Sequence, residues 1–176
     1  MILFSVNLAN KRNERICMNM DFNVNAFKIF DREWALLTAG TKEKYNTMTI
    51  SWGGLGTLWG KPVATVYVKP IRYTHQFLEE NEYFTVSFYP EQYRQALGLL
   101  GSRSGRELDK VAAAGLTPVF SEEGVTFREA KMTLLCKKIY RQEMDTRYMP
   151  QDVIKACYET EPPHTMFIGE VVEMLT

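Results

Sequence analysis

The stretch from Asn46 to Thr74 constrains the fold more than any other part of the chain. It begins with an alternating segment in which Met48 and Ile50 share one face, and a β-branched and aromatic segment occupies residues 62–68. Alternation bounded by Gly and Pro is typical of strand–turn–strand structure. The sequence therefore predicts two neighbouring strands. The glycines between them predict a corner: Gly53, Gly54 and Gly56.

This stretch ends in a turn, residues 69–74, that combines a guanidinium with two hydroxyls. A planar guanidinium beside Tyr and Thr hydroxyls suits a bound phosphate, although a surface turn with Arg72 in a salt bridge is the simpler alternative. A second basic loop with serines and glycines, residues 101–106, favours the phosphate interpretation. Small residues let backbone N–H groups reach an anion, but such a loop, taken alone, is also typical of a solvated turn.

Other candidate ligand contacts lie near the first strand. Trp52 could stack on a planar ring or belong to a barrel core. Asn46 and Thr47 could hydrogen-bond a ligand edge or serve as turn residues. The two histidines, His75 and His164, do not have a spacing that indicates a metal site. The sequence has no nucleophile elbow, Walker loop or G-x-G-x-x-G motif, and we expect no catalytic side chain of those classes.

The chain length, the net charge and the number of cysteines limit the class of protein. The 176 residues suffice for one domain with a real core. Twenty-one basic and 21 acidic residues cancel, so no global field favours nucleic acid or an anionic membrane. Three widely spaced cysteines predict a reduced, cytoplasmic setting rather than a disulfide framework. We expect residues 1–20 to be a loosely ordered leader, and residues 21–176 to form a single domain.

The remaining patterns predict a mainly β fold. Seven to nine short strands with two or three interposed helices indicate a small β-barrel carrying helical insertions. A helix is predicted over residues 74–81 with Thr74 as its N-cap. Residues 141–148 are compatible with a further strand, and residues 152–158 with either a strand or a helix. The final strand, residues 165–175, is expected to be interrupted at Gly169 by a bulge or corner.

Three segments carry a family resemblance: residues 46–88, residues 100–118 (LGSRSGRELDKVAAAGLTP) and residues 164–173 (HTMFIGEVVE). In order and spacing they resemble the flavin reductase-like family of FMN-binding split barrels, in its flavoredoxin branch. The resemblance covers residues 27–173. It implies a split β-barrel homodimer, mainly β with a few short inserted helices, that binds one FMN per subunit near the subunit interface.

The resemblance also implies which residues bind FMN. Positions along the isoalloxazine ring and ribityl chain would be Asn46, Thr47, Met48, Thr49, Ser51 and Trp52. The phosphate would be held by Lys69, Arg72, Tyr73 and Thr74, and a further loop would approach with Ser102, Arg103, Ser104, Gly105 and Lys110. His164 and Phe167 would lie near the ring. Family members often have an aspartate just before this histidine, whereas here Glu161-Pro162-Pro163 precede it and stiffen the approach.

The implied function is a flavoprotein oxidoreductase that passes electrons from NAD(P)H or a redox protein to a flavin, a redox protein or a small acceptor. A flavin carries electrons itself, so the protein need only bind, orient and tune it. One alternative is an FMN-binding electron carrier without NAD(P)H turnover. Another is a barrel that has lost flavin and binds a different planar or phosphorylated ligand.

Overall fold

The computed structural model describes residues 23–176, so the predicted leader lies outside the described residues. The strands are β1 (Ala35–Gly40), β2 (Tyr45–Ile50), β3 (Gly53–Leu58), β4 (Lys61–Val68), β5 (Tyr83–Phe88), β6 (Pro118–Phe120), β7 (Val125–Phe127), β8 (Met132–Glu143) and β9 (Thr165–Leu175). The α-helices are α1 (Ala26–Asp31), α2 (Tyr73–Glu80), α3 (Arg94–Ser102), α4 (Lys110–Ala113) and α5 (Gln151–Cys157). Two 3₁₀ turns cover Glu91–Tyr93 and Thr146–Tyr148.

Seven strands form one antiparallel sheet in the order β2-β1-β5-β8-β9-β4-β3, and β6 pairs with β7 in a separate hairpin. Strand β1 is buried along its whole length. The main core inside the sheet is built from apolar side chains such as Leu37, Val66, Phe84 and Phe167, with Phe77 added from α2. The predicted mainly β split barrel with a few short helices is confirmed.

The glycine-rich segment is a strand rather than a corner, so that prediction is wrong. Gly53 to Leu58 pair with six residues of β4, and the chain reverses afterwards at Trp59 and Gly60, both at positive φ. Gly53 serves close packing here. A Cβ at this position would lie 2.5 Å from a carbon of the Phe30 ring. The glycine therefore lets α1 press its aromatic ring against the strand backbone.

Helix α2 begins one residue earlier than expected. Arg72 occupies the N-cap position without a side-chain cap, so the prediction of Thr74 as N-cap is wrong. The Thr74 hydroxyl is buried and accepts a hydrogen bond from Asn46 Nδ2 at 2.7 Å. A contact between positions 28 residues apart has replaced the local cap, and it ties the start of α2 to β2.

Helix α3 also packs against β2. The hydroxyl of Thr49 donates to the carbonyl oxygen of Leu97 at 2.5 Å, which joins the strand to the helix. The helix runs through Gly101 and Ser102, so the first two residues of the predicted basic loop are helical. Beyond it, Gly115 follows α4 at a φ of +70°, as expected for the residue after a helix end.

The two long strands differ from prediction in two ways. Strand β8 continues to Glu143 without a break, and residues 146–148 form a 3₁₀ turn instead of extending it. Strand β9 passes through Gly169 uninterrupted, but one of the two register shifts of the β8–β9 ladder lies at this glycine, because Lys138 pairs with Gly169 and Tyr140 with Ile168. A Cβ at Gly169 would lie 2.6 Å from the Phe84 ring, so this glycine also serves close packing.

The sequence left residues 152–158 open between strand and helix, and all of them except Tyr158 lie in helix α5. No helix among residues 23–176 is long and apolar enough to cross a membrane.

Candidate functional site

A cleft with two connected compartments runs along β2. The polar compartment, of about 310 Å³, lies between β2, the start of α2 and the segment after α3. The aromatic compartment, of about 250 Å³, lies between the end of β2, β4 and the residue before β9. Three residues line both compartments, which makes the cleft continuous: Met48, Arg72 and Gly101.

The polar compartment has a strong excess of positive charge. Four cationic side chains line it against one carboxylate, that of Glu107. The cations are Arg72, Arg103, Arg106 and Lys110. Within residues 23–176 none of the four forms an ion pair with a carboxylate. Since the chain as a whole is neutral, this local excess gives the compartment a preference for an anion.

Lys110 is the least exposed of these cations, with 5% of its surface accessible. Its ammonium donates to the carbonyl oxygens of Leu100 at 2.9 Å and Arg103 at 3.0 Å. Burial, followed by repulsion from Arg72, lowers the pKa of Lys110 to about 8. An ammonium has three N–H donors, so one remains for a ligand, and a buried cation of this kind is stabilised by a nearby anion.

The start of α2 adds backbone donors to the same wall. The N–H of Arg72 bonds to the Lys69 carbonyl oxygen and that of His75 to the Arg72 carbonyl oxygen. Between them, the N–H groups of Tyr73 and Thr74 have no backbone partner in the described chain. Free N–H groups and the positive end of the helix dipole together favour bound anions.

Asn46 and Gly105 lie close together in the lining of the polar compartment. A Cβ at Gly105 would lie only 2.1 Å from Asn46 Oδ1, so the loop approaches the strand as closely as it does because residue 105 is a glycine. The guanidinium of Arg106 lies 4.4 Å from the centre of the Tyr73 ring. Arg72 and Arg106 line the same compartment, so this stacking holds a second guanidinium in its wall.

The aromatic compartment is lined by both apolar and polar side chains. Its apolar lining comes from Met48, Ile50, Trp52 and Tyr67, and its polar lining from Thr49, Ser51, Lys69, Arg72 and His164. The Trp52 side chain is 48% exposed, and its ring centre lies 5.0 Å from that of His164. Planar side chains of this size provide a surface on which a planar ligand can pack.

His164 is held by its other neighbours. The Tyr158 hydroxyl lies 2.9 Å from His164 Nδ1. Burial, together with Lys69 and Arg72, lowers the pKa of His164 to about 4, and the Glu161 carboxylate opposes this only in part. The imidazole is therefore neutral at physiological pH.

Lys69 ties the segment before β9 to the end of β4. Its ammonium donates to Glu161 Oε2 at 2.5 Å and to the carbonyl oxygen of Cys157 at 2.9 Å. The Lys69 ammonium also lowers the pKa of the Glu161 carboxyl by hydrogen bonding. Lys69 therefore links two segments of the cleft wall and also lines the cleft.

The cleft brings together most of the residues that the sequence singled out. The polar compartment is lined by Asn46, Met48, Arg72, Tyr73, Thr74, Ser102, Arg103, Ser104, Gly105 and Lys110, and the aromatic compartment adds Thr49, Ser51, Trp52, Lys69 and His164. Two candidates lie elsewhere. Phe167 is fully buried in the core with its ring edge against His75. Thr47 is a fully buried residue of β2 and donates to the Leu37 carbonyl oxygen of β1.

Sequence reasoning missed two residues of the cleft and its wall: Tyr67 and Tyr158. Strand alternation could have found Tyr67, because it shares a face of β4 with Lys69 while Val66 and Val68 point into the core. Arg106 was predicted as part of the basic loop, although the resemblance did not include it, and it lines the polar compartment. Tyr158 had no comparable signal, since its approach to His164 depends on how α5 turns into β9.

The model of the flavin reductase-like domain matches residues 27–176. The chain belongs to the flavin reductase-like family. Family membership supports flavin binding and, at the level of the family, a flavin-related oxidoreductase or electron carrier. A search of curated proteins found no match.

Solved structures show where the flavin reductase-like fold recurs. Flavoredoxin from Methanosarcina acetivorans is 23% identical, with a TM-score of 0.67 over 89% of this chain and 74% of that one. The FMN-binding protein from Thermus thermophilus with bound 1-cyclohex-2-enone is 24% identical, with a TM-score of 0.64 over 81% and 68%. The NADH:FAD oxidoreductase of Streptomyces globisporus C-1027 is 19% identical, with a TM-score of 0.63 over 81% and 74%.

Proposed function

We propose that this chain binds FMN in the cleft along β2 and acts as a flavoprotein oxidoreductase. The observation that carries the proposal is the continuity of an unpaired cationic compartment with an aromatic one, joined at Met48, Arg72 and Gly101. FMN has the same division, with a phosphate at one end and a planar ring at the other. When bound, FMN supplies the capacity to accept two electrons and to release them singly or in pairs.

The polar residues fit the phosphate. Arg72, Arg103, Arg106 and Lys110 have no carboxylate partner among residues 23–176, and Tyr73 and Thr74 offer free N–H groups. Charge-assisted hydrogen bonds to a phosphate are stronger than neutral ones. The buried Lys110 supports this most directly, because its third donor and its charge are satisfied by an anion. Asn46 and Met48 would lie beside the chain that joins phosphate and ring.

The remaining residues fit the ring. Trp52, Tyr67 and Met48 would pack on it, and the neutral His164 would meet it with a hydrogen-bonding edge. In the known family pattern Phe167 lies near the ring, but its complete burial supports a role in the core. Thr47 stabilises strand β2, which borders the cleft, through hydrogen bonds with Thr38 and Leu37.

We favour turnover of a substrate over simple electron storage. An apolar hollow of about 380 Å³ adjoins the aromatic compartment, and Ser51, Trp52 and Tyr67 line both. A small planar acceptor or a nicotinamide fits such a surface. The electrons would come from NAD(P)H or from a redox protein and would pass to a free flavin, a redox protein or a small organic acceptor.

Anaerobic addition of NADH and then NADPH to the FMN-loaded protein tests turnover. Rapid loss of the visible flavin absorbance with one nucleotide identifies a reductase and its donor. Absorbance that persists until dithionite is added favours the alternative, an electron carrier that obtains its electrons from a protein partner. A protein that does not bind FMN contradicts both and leaves a different planar or phosphorylated ligand.

A homodimer is the proposed state of assembly. Two large aromatic side chains are exposed on the β3 side of the sheet, with Trp52 before β3 and Trp59 at its end, and Trp59 is 67% exposed. A second copy would cover surface of this kind. Light scattering tests the proposal, and a monomer mass would overturn it. The expected cytoplasmic location also stays a prediction, supported by the cysteine pattern.

A further inference from the structure

The wall between α5 and β9 contains a pair of side chains of which the proposed function uses only His164. Tyr158 follows the end of α5, and His164 precedes β9. Their hydroxyl oxygen and Nδ1 lie 2.9 Å apart, and both rings are partly buried. His164 lines the aromatic compartment, whereas Tyr158 lines the apolar hollow next to it. The contact therefore spans the wall between the two spaces.

The direction of this hydrogen bond follows from the partners available. If His164 Nδ1 carried the hydrogen, the Tyr158 hydroxyl would need another acceptor for its own, and it has none among the described residues. If the hydroxyl donates to Nδ1, its hydrogen has an acceptor within the described chain, because a neutral imidazole has one donor and one acceptor nitrogen. The ring hydrogen of His164 then lies on Nε2.

The surrounding charges keep this imidazole neutral. Lys69 and Arg72 face it from the turn after β4, and Glu161 faces it from its own segment. The Glu161 carboxylate is engaged by the Lys69 ammonium at 2.5 Å, so its attraction for a proton on His164 is weakened. The Lys69 ammonium also lies 5.4 Å from the centre of the Tyr158 ring, on the same side of the cleft. Two cations against one paired carboxylate disfavour a third positive charge.

We propose that Tyr158 is a positioning residue that fixes His164 as the Nε2–H tautomer, so that a neutral donor faces the ring of the ligand in the aromatic compartment. Nε2 has no hydrogen-bond partner among residues 23–176, which leaves it for a ligand. The ligand group is a hydrogen-bond acceptor on a planar heterocycle, such as a ring carbonyl. The assignment to a flavin ring rests on the proposed function, whereas the tautomer does not.

Nitrogen-15 NMR of the flavin-free protein tests the tautomer directly. The chain has only two histidines, so His75→Gln identifies the His164 signals by elimination. We expect one protonated and one bare ring nitrogen between pH 6 and 8, with the hydrogen on Nε2, and a mixture of tautomers in Tyr158→Phe. A hydrogen on Nδ1 in the unaltered protein, or an unchanged tautomer in Tyr158→Phe, would overturn the proposal.

A double-mutant cycle on FMN affinity separates positioning from packing. Tyr158→Phe should raise the Kd for FMN about fivefold, as for loss of one neutral hydrogen bond, while Tyr140→Phe, which removes an exposed hydroxyl outside the cleft, should not. His164→Gln retains an N–H donor but has no tautomer to fix. In that background Tyr158→Phe should have no further effect.

A fivefold loss that persists in the His164→Gln background would instead assign Tyr158 a purely structural role. If FMN fails to bind at all, the proposed function is wrong, and the NMR result alone decides whether Tyr158 fixes the tautomer. The two failures are therefore distinguishable.

Discussion

The two compartments of the cleft are built by different means. The polar compartment depends on charge and backbone donors that lie close together in sequence, with Arg72, Tyr73 and Thr74 at one helix start and residues 102–110 in one segment. The aromatic compartment assembles Trp52, Tyr67 and His164 from three separate parts of the chain. The first should therefore recognise a ligand by charge, and the second by shape.

The difference between the two compartments can be tested with two ligands that differ at one end only. FMN and riboflavin share the ring and the ribityl chain, and only FMN has the phosphate. Changes in the polar compartment should affect FMN alone, whereas changes in the aromatic compartment should affect both. Each binding prediction below uses the pair in this way, in order of decreasing expected effect.

Replacement of Arg72 has the largest expected effect. Arg72→Ala should raise the Kd for FMN about 10- to 150-fold, because a hydrogen bond to a charged group is worth about 1.5–3 kcal/mol. Riboflavin affinity should stay the same. Isothermal titration with both ligands measures the difference, and Arg128→Ala, an exposed arginine away from the cleft, is the matched control. Unchanged FMN affinity would remove Arg72 from the phosphate site.

A pH effect through Lys110 is next in size. Its pKa is lowered to about 8 without ligand, and a bound phosphate dianion should raise it again, so binding takes up a proton above pH 8. The Kd for FMN should therefore rise about tenfold between pH 7 and pH 9. Riboflavin should show no such rise, and Lys110→Met should abolish it for FMN. The same slope in Lys110→Met would assign the effect to another group.

The same lowered pKa affects the stability of the flavin-free protein. The folded form binds the Lys110 proton less tightly than the unfolded chain, whose lysines titrate at about 10.4. Stability should therefore increase as the pH rises from 8 towards 10, relative to Lys110→Met, which lacks this group. Urea unfolding of both proteins at several pH values measures the difference. A decrease over this range would contradict the burial of a charged lysine.

Replacement of Trp52 has the smallest expected effect and the opposite ligand pattern. Trp52→Leu should weaken FMN and riboflavin equally, by about 3- to 10-fold, which corresponds to an aromatic contact of about 0.5–1.5 kcal/mol. Fluorescence titration measures both affinities. Trp59→Leu is the control, because Trp59 is exposed and lines neither compartment. Loss of FMN binding with riboflavin binding retained would place Trp52 at the wrong end of the ligand.

The difference between the local polar compartment and the aromatic compartment also explains what could be predicted from the sequence. Arg72, Tyr73 and Thr74 were identifiable because a local turn after a strand presents consecutive side chains to one ligand. The role of Thr74 as acceptor for Asn46, and the burial of Lys110, depend on how α2 and α3 pack on β2. Neither follows from local pattern.

At two glycines an aromatic ring touches the strand backbone, and the sequence did not show this. Gly53 was interpreted as part of a corner but lies within a regular strand, whereas Gly169, interpreted as a bulge or corner, lies in an uninterrupted strand at a register shift. Local pattern shows that a glycine is present but not which ring lies above it. Likewise, alternation in β9 places Phe167 on the buried face, yet the sequence alone did not show that this face is the core rather than the cleft.

The most direct test of the account compares the affinities of the unaltered protein for FMN and for riboflavin by isothermal titration at pH 7. Two or more charge-assisted hydrogen bonds to the phosphate predict that FMN binds at least about a hundredfold more tightly. Equal affinities would contradict the phosphate assignment of Arg72, Lys110 and the start of α2.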